Sequence, residues 1–123
     1  MDPQSVIDES RPMLTEFLCD VGLQRDGDDL DLGRLRDPFS DWVEQQTVTD
    51  DDRLYLASRL GAFICEYLMD CHGAERAIVS NRIVIRMRVD ESVAREFEPY
   101  PIAIEIADKQ QTLTQFLATI CGQ

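Results

Sequence analysis

Histidine occurs once in this chain, at His72, and lysine once, at Lys109, while no apolar run approaches the ~20 residues that a membrane span requires. The single imidazole rules out a His-rich metal site. No glycine-rich phosphate loop, no G-x-S-x-G elbow and no Cys-x-x-Cys pair is present. Basic residues are scarce: 12 Lys and Arg stand against 24 Asp and Glu, for a net charge of −12. That balance argues against nucleic acid and anionic membranes, whose affinity comes from counterions released by cationic side chains. The opening stretch MDPQSVIDES is acidic where a secretory signal would be basic, so the expected compartment is the cytoplasm. There the four cysteines, Cys19, Cys65, Cys71 and Cys121, stay reduced and pack as small apolar groups.

What is present is one domain's worth of chain, 123 residues with 44% apolar content, enough for a single core. Its acidity is lopsided. Residues 1–72 carry 17 acids and 6 bases, whereas residues 73–123 carry 7 and 6.

Asp2 and Pro3 read as the N-cap and first residue of a helix whose apolar stripe runs from Val6 and Ile7 through Leu14, Phe17 and Leu18 to a stop at Gly22. At Pro12 either this helix kinks or Ser10 caps a second one. Residues 24–37 read as a charged surface loop, with an extended piece around Leu30 and Leu32, and Asp37-Pro38 starts a short helix through Gln46 that turns Phe39, Trp42 and Val43 inward. The strongest pattern lies between Thr49 and Gly73. Thr49 is a good N-cap, three aspartates fill the first turn, His72 sits in the last, and Leu56, Leu60, Phe63, Ile64, Tyr67 and Leu68 form a broad apolar face.

After Gly73 the period changes to two. Ile83, Ile85, Met87 and Val89 alternate with Val84, Arg86 and Arg88, and Ser80-Asn81 suits a tight turn between strands at 75–79 and 82–89. Residues 90–98 are expected as a loop or one helical turn, and Ile102, Ile104 and Ile106 as a third strand. A last helix, capped by Asp108 or Thr112, then buries Leu113, Phe116, Leu117 and Ile120. The expected fold is α+β: N-terminal helices, a long central helix, a small antiparallel three-stranded sheet and a C-terminal helix, all in one domain over 1–123.

Chemistry is sparse. In the segment CEYLMDCHGAER, Cys65 and Cys71 point about 120° apart on a helix, and Cys65 and His72 lie about 10 Å apart along its axis, so neither pair holds one ion. An acidic, apolar helix face raises a thiol pKa rather than activating it. Asp26, Asp28, Asp29 and Asp31 fail the EF-hand spacing, because Leu30 falls where an oxygen ligand is required. Glu66 and Asp70, one turn apart on the polar side of the central helix, lack the deep cleft that paired-carboxylate catalysis requires. Arg86 and Arg88 project together from the outer sheet face, where they either grip a carboxylate or phosphate or pair with surplus acids. No catalytic residue, cofactor or metal ligand emerges.

The stretch WVEQQTVTDDDRLYLASRLGAFICEYLMDCHGAERAIV, followed by EPYPIAIEI and LTQFLATI, resembles small bacterial domains of unknown function in which a Leu-Gly-Ala helix ends in glycine, enters a hairpin and precedes a final helix. That family has no established active site, so the resemblance transfers no functional residue. MLTEFLCDVGL within an acidic whole is similar to type III secretion chaperones, which are small, acidic cytoplasmic dimers. The expected function is therefore non-catalytic. It is an acidic domain that masks a basic protein partner, as an immunity protein or secretion chaperone does, with Asp26, Asp28, Asp29, Asp31, Arg86 and Arg88 as partner-binding candidates. A homodimeric or larger homo-oligomeric scaffold is the alternative, and a small thiol-dependent enzyme or sensor centred on Cys65, Cys71 and His72 a lesser one.

Overall fold

The computed structural model describes residues 2–89 and 92–121. Helices α1 (Pro3–Asp20), α2 (Leu32–Gln45) and α3 (Asp50–His72) precede strands β1 (Glu75–Val79), β2 (Arg82–Val89) and β3 (Ser92–Phe97). Helices α4 (Pro99–Ala107) and α5 (Leu113–Cys121) follow. The sheet is an antiparallel meander in the order β1-β2-β3, so the fold is α+β.

α1 continues through Pro12 as one helix, with the Asp2 carboxylate accepting the Gln4 N–H at its start. α3 is the hub. It packs against α1, α2 and α4, and its residues 60–68 are buried on nearly every side. Thr49 caps it, Asp50, Asp51 and Asp52 occupy its first turn, and Gly73 ends it at φ 65°, where the Ala74 N–H closes on the Leu68 carbonyl at 3.1 Å. Gly61 lets α4 approach: a Cβ there would overlap Cδ1 and Cε1 of Tyr100 and lie 3.0 Å from its Cγ.

Three expectations are corrected. The segment 32–37 is helical, because Asp31 caps α2 by accepting the Arg34 N–H and Leu32, Leu35, Phe39 and Val43 bury one stripe. Pro38 lies within that helix instead of starting it. Residues 92–97 form β3, which pairs with the far edge of β2 and sets Phe97 edge-on to Phe116 at 5.4 Å. Residues 99–107 form a helix, not a strand: Pro99 takes its first position, and Ala103, Ile106 and Ala107 bury an i, i+3, i+4 stripe. The side chain of Val89, expected on the face of Ile83, Ile85 and Met87, and the loop reading at Asp90 and Glu91 lie outside what is described.

The 80–81 turn has positive φ at both residues, 51° and 64°, as a two-residue hairpin requires. Thr112, not Asp108, caps α5 by accepting the Gln115 N–H at 3.0 Å. One edge-to-face chain, Phe17–Trp42 at 5.5 Å and Phe17–Phe39 at 6.3 Å, ties α1 to α2, and Phe39–Phe63 at 4.6 Å ties α2 to α3.

Candidate functional site

Most basic side chains are neutralised at short range. Arg53 forks onto Asp108 at 2.6 and 2.8 Å, which ties the first turn of α3 to the end of α4 and holds the Asp108 carboxyl below its ordinary range through those hydrogen bonds. Arg82 meets Glu98, Arg86 meets Glu96 at 2.8 Å, and Arg88 meets Glu75 at 3.4 Å. Arg86 and Arg88 thus share the outer sheet face as expected, with a carboxylate beside each. Lys109 donates to the Val43 carbonyl at 2.6 Å, at the C-terminal end of α2, where the helix dipole favours a cation. Arg95 donates to the Thr119 carbonyl.

The acids of α1, the α1–α2 loop, α2 and the start of α3 are treated differently. Glu16, Asp20, Asp26, Asp28, Asp29, Asp41, Glu44, Asp50 and Asp51 are exposed, and among the described residues none of them forms an ion pair. Asp26 joins Glu16 and Asp20 along one shallow groove on the outer side of α1, which Cys19 also lines. The other loop acids have local duties: Asp31 caps α2, and Gln24 ties down the loop through the Asp28 and Asp29 carbonyls at 3.0 and 3.3 Å. Beside this acidic region Leu54 and Tyr55 stand exposed on α3, at 66% and 51%. Tyr55 receives the Arg59 guanidinium 3.9 Å above its ring.

A second concavity, of about 430 Å³, opens between α1, α3, the hairpin turn and the start of α4. Val6, Met13, Ile83 and Tyr100 give it apolar walls, and Glu9 and Arg59 reach it from two helices. The Arg59 Nε is buried and has no hydrogen-bond partner among the described residues. Sequence reasoning missed this cleft, since its walls come from four separate elements.

The thiols and the imidazole do not converge. Cys65 is fully buried, and burial pushes its thiol up to about 12. Cys71 is exposed at the end of α3, its thiol also raised, by partial burial and then by Asp70 and Asp31. His72 lies 3.3 Å from the Tyr67 hydroxyl. None of these is the activated thiolate that cysteine catalysis requires. Among the described residues no cluster of three metal-ligating side chains occurs.

Glu66 corrects the sequence reading. It is 4% exposed, not on the polar side, and it accepts Arg76 at 2.9 Å and Arg11 at 3.4 Å, while Arg11 reaches on to Asp70 at 2.8 Å. This network joins α1, α3 and β1. The only advance signal was an acid inside the apolar run 60–68.

These features define an α+β domain whose hairpin arginines are paired with carboxylates and whose helical half carries exposed acids outside any ion pair among the described residues. Comparison with known protein families, with curated proteins and with solved structures finds no match to this chain. No helix among the described residues is long and apolar enough to cross a membrane.

Proposed function

We propose that this chain is a non-catalytic, cytoplasmic protein-binding domain that masks a basic partner, in the manner of an immunity protein or a secretion chaperone. The observation that carries the reading is the division of charge. Arg76, Arg82, Arg86 and Arg88 of the hairpin meet carboxylates within 3.4 Å, whereas Glu16, Asp20, Asp26, Asp28, Asp29, Asp41, Glu44, Asp50 and Asp51 of the helical half form no ion pair among the described residues. Such a face raises the rate of encounter with a cationic protein through complementary fields. Exposed Leu54 and Tyr55 beside Asp50 and Asp51 supply an apolar centre with a charged rim, the usual anatomy of an interface.

The test is co-purification of the tagged protein from its own host, with the product of the neighbouring gene as the first partner examined. A basic protein retained at low salt and released at high salt is the expected result, with association slowed when Glu16, Asp20 and Asp26 are replaced by their amides. A chain that behaves as a lone monomer, or an association indifferent to salt and to those three substitutions, would overturn the proposal.

A further inference from the structure

β1 is an outer strand of the sheet, and its charges, Glu75 and Arg76, are both engaged in ion pairs. Its ladder with β2 runs without interruption over five residue pairs, Glu75↔Arg86 to Val79↔Arg82. It holds no proline and no lysine, and Ile78 and Val79 at its end are 41% and 38% exposed. The other edge is irregular: the β2–β3 pairing shifts register between Met87 and Arg88.

The hairpin geometry decides which backbone groups of β1 are free. In a two-residue hairpin the pair next to the turn, Val79 and Arg82, exchanges both hydrogen bonds, and the pattern alternates along the ladder. Val79, Ala77 and Glu75 therefore face β2, whereas the N–H and C=O of Arg76 and Ile78 face outward. Among the described residues no hydrogen bond engages those outward N–H groups. Alongside them runs a groove of about 610 Å³ walled by Gln4 and Ile7 of α1, Met69 of α3 and Ile78. Ile7, Met69 and Ile78 supply its apolar lining, and Gln4, Glu75 and Arg76 its polar lining.

Charge says what fits. Arg76 meets Glu66, Arg88 meets Glu75 and Arg11 meets Asp70, so the cations near this groove are answered. Asp2 and Asp8, which flank Gln4 and bond to its backbone and side-chain nitrogens, are exposed and meet no cation among the described residues. Through Gln4, the uncompensated charge bordering the groove is negative.

We infer that the β1 edge is a strand-addition site for an extended, basic segment of a protein partner, seated between α1 and the sheet. The segment pairs with the backbone of Arg76 and Ile78, sets alternate apolar side chains against Ile7 and Met69, and directs its cations to Asp2 and Asp8. This inference rests on the basic-partner reading above and adds to it where the contact is made.

A short peptide alternating valine and lysine is the probe, with a valine–glutamate peptide beside it, followed by amide spectra and hydrogen exchange on the intact protein. The lysine peptide is expected to protect the Arg76 and Ile78 N–H groups. Ile78→Pro removes the outward donor without touching the β2 ladder and is expected to weaken binding by about tenfold, whereas Ile78→Val should stay within about twofold. Hydrogen exchange in the unaltered protein reads the same donors should Ile78→Pro fold poorly.

No binding at millimolar peptide, or binding that leaves both amides unprotected, overturns the site. Salt-sensitive binding confined to Glu16, Asp20 and Asp26 also overturns it, while leaving the basic-partner reading in place. Equal binding of the two peptides at β1 overturns the basic identity of the occupant, and with it that reading's charge argument. Protection of Ile78 N–H in a concentration-dependent dimer without peptide would make the occupant a second copy and overturn the proposal.

Discussion

Gly61→Ala is predicted to have the opposite sign from the one helix propensity gives. A glycine inside a helix costs about 1 kcal/mol relative to alanine, so an uncrowded Gly61 would gain that amount on substitution. Gly61 is buried in the middle of α3, however, and its missing Cβ is where the Tyr100 ring lies, with Cγ 3.0 Å from the added carbon and the ring edge closer. Tyr100 sits in the first turn of α4, whose entry from β3 is fixed by Pro99, so the ring cannot withdraw without shifting the helix. Overpacking costs about 1–3 kcal/mol, and overlap with two ring carbons belongs in the upper part of that range, so net destabilisation of about 1–2 kcal/mol is expected once the propensity gain is subtracted. Urea melts followed by Trp42 fluorescence would measure it through the midpoint at constant slope. A cycle with Tyr100→Ala isolates the contact: alanine at 61 should be tolerated, or even favourable, once the ring is gone, with a coupling of about 1–3 kcal/mol. A neutral or stabilising Gly61→Ala in the otherwise unaltered protein would refute the reasoning.

Removing the buried anion by Glu66→Gln leaves Arg76 facing α3 without its partner and should cost about 3 kcal/mol, as read by the same melts; a change below about 1 kcal/mol would mean that solvent screens the network. Asp31→Ala should cost about 1 kcal/mol through loss of the α2 cap, while Asp31→Asn keeps the cap and removes the charge, so any loss of partner binding in the Asn variant reports charge alone. The Cys65 thiol, raised from 9.0 to about 12, keeps its proton in the folded chain where the unfolded chain has lost it. That contribution is complete below about pH 9 and declines as pH rises toward 12, by up to ~1.4 kcal/mol per unit, so a Cys65→Ala variant should show a shallower alkaline decline in urea melts at stepped pH. Native thiol titration should modify exposed Cys71 and leave Cys65 untouched until denaturant is added.

Where local signals agreed, the sequence was readable. Thr49, the three aspartates and Gly73 bound α3 on chemistry that acts within one turn, and Ser80-Asn81 placed the hairpin for the same reason. Failures came where two periods overlapped. Ile102, Ile104 and Ile106 alternate, but α4 packs against both α3 and β2, so its isoleucines are all at least half-buried and the helical stripe hides within an apolar surface. In α2 the reverse occurred: Gly33 and Pro38 carry loop signals, yet the Asp31 cap and the Leu32–Leu35–Phe39–Val43 stripe override them. β3 has little pattern of its own, and it is a strand because β2 offers an open edge and Phe97 a place against α5.

The candidate surfaces followed the same division. Net charge is additive, so the acidic character and its bias toward residues 1–72 could be counted from composition. Which charges stay uncompensated depends on pairs between distant elements, and here tertiary structure redistributed the suspicion. Asp31 belongs to a helix cap, Arg86 and Arg88 to Glu96 and Glu75, and Glu66 to a buried network, whereas Asp26 gained Glu16 and Asp20 as companions. The β1 edge escapes composition altogether. Its openness follows from strand order and hairpin parity, which expose the Arg76 and Ile78 amides only because β1 comes first in the sheet and α1 stands a groove's width away. A partner that used the acidic face alone would be held by screened charge and released readily by salt. One that also added a strand would gain directional backbone bonds that salt does not screen. Association should therefore follow ionic strength through its on-rate, while the Ile78→Pro effect appears in dissociation.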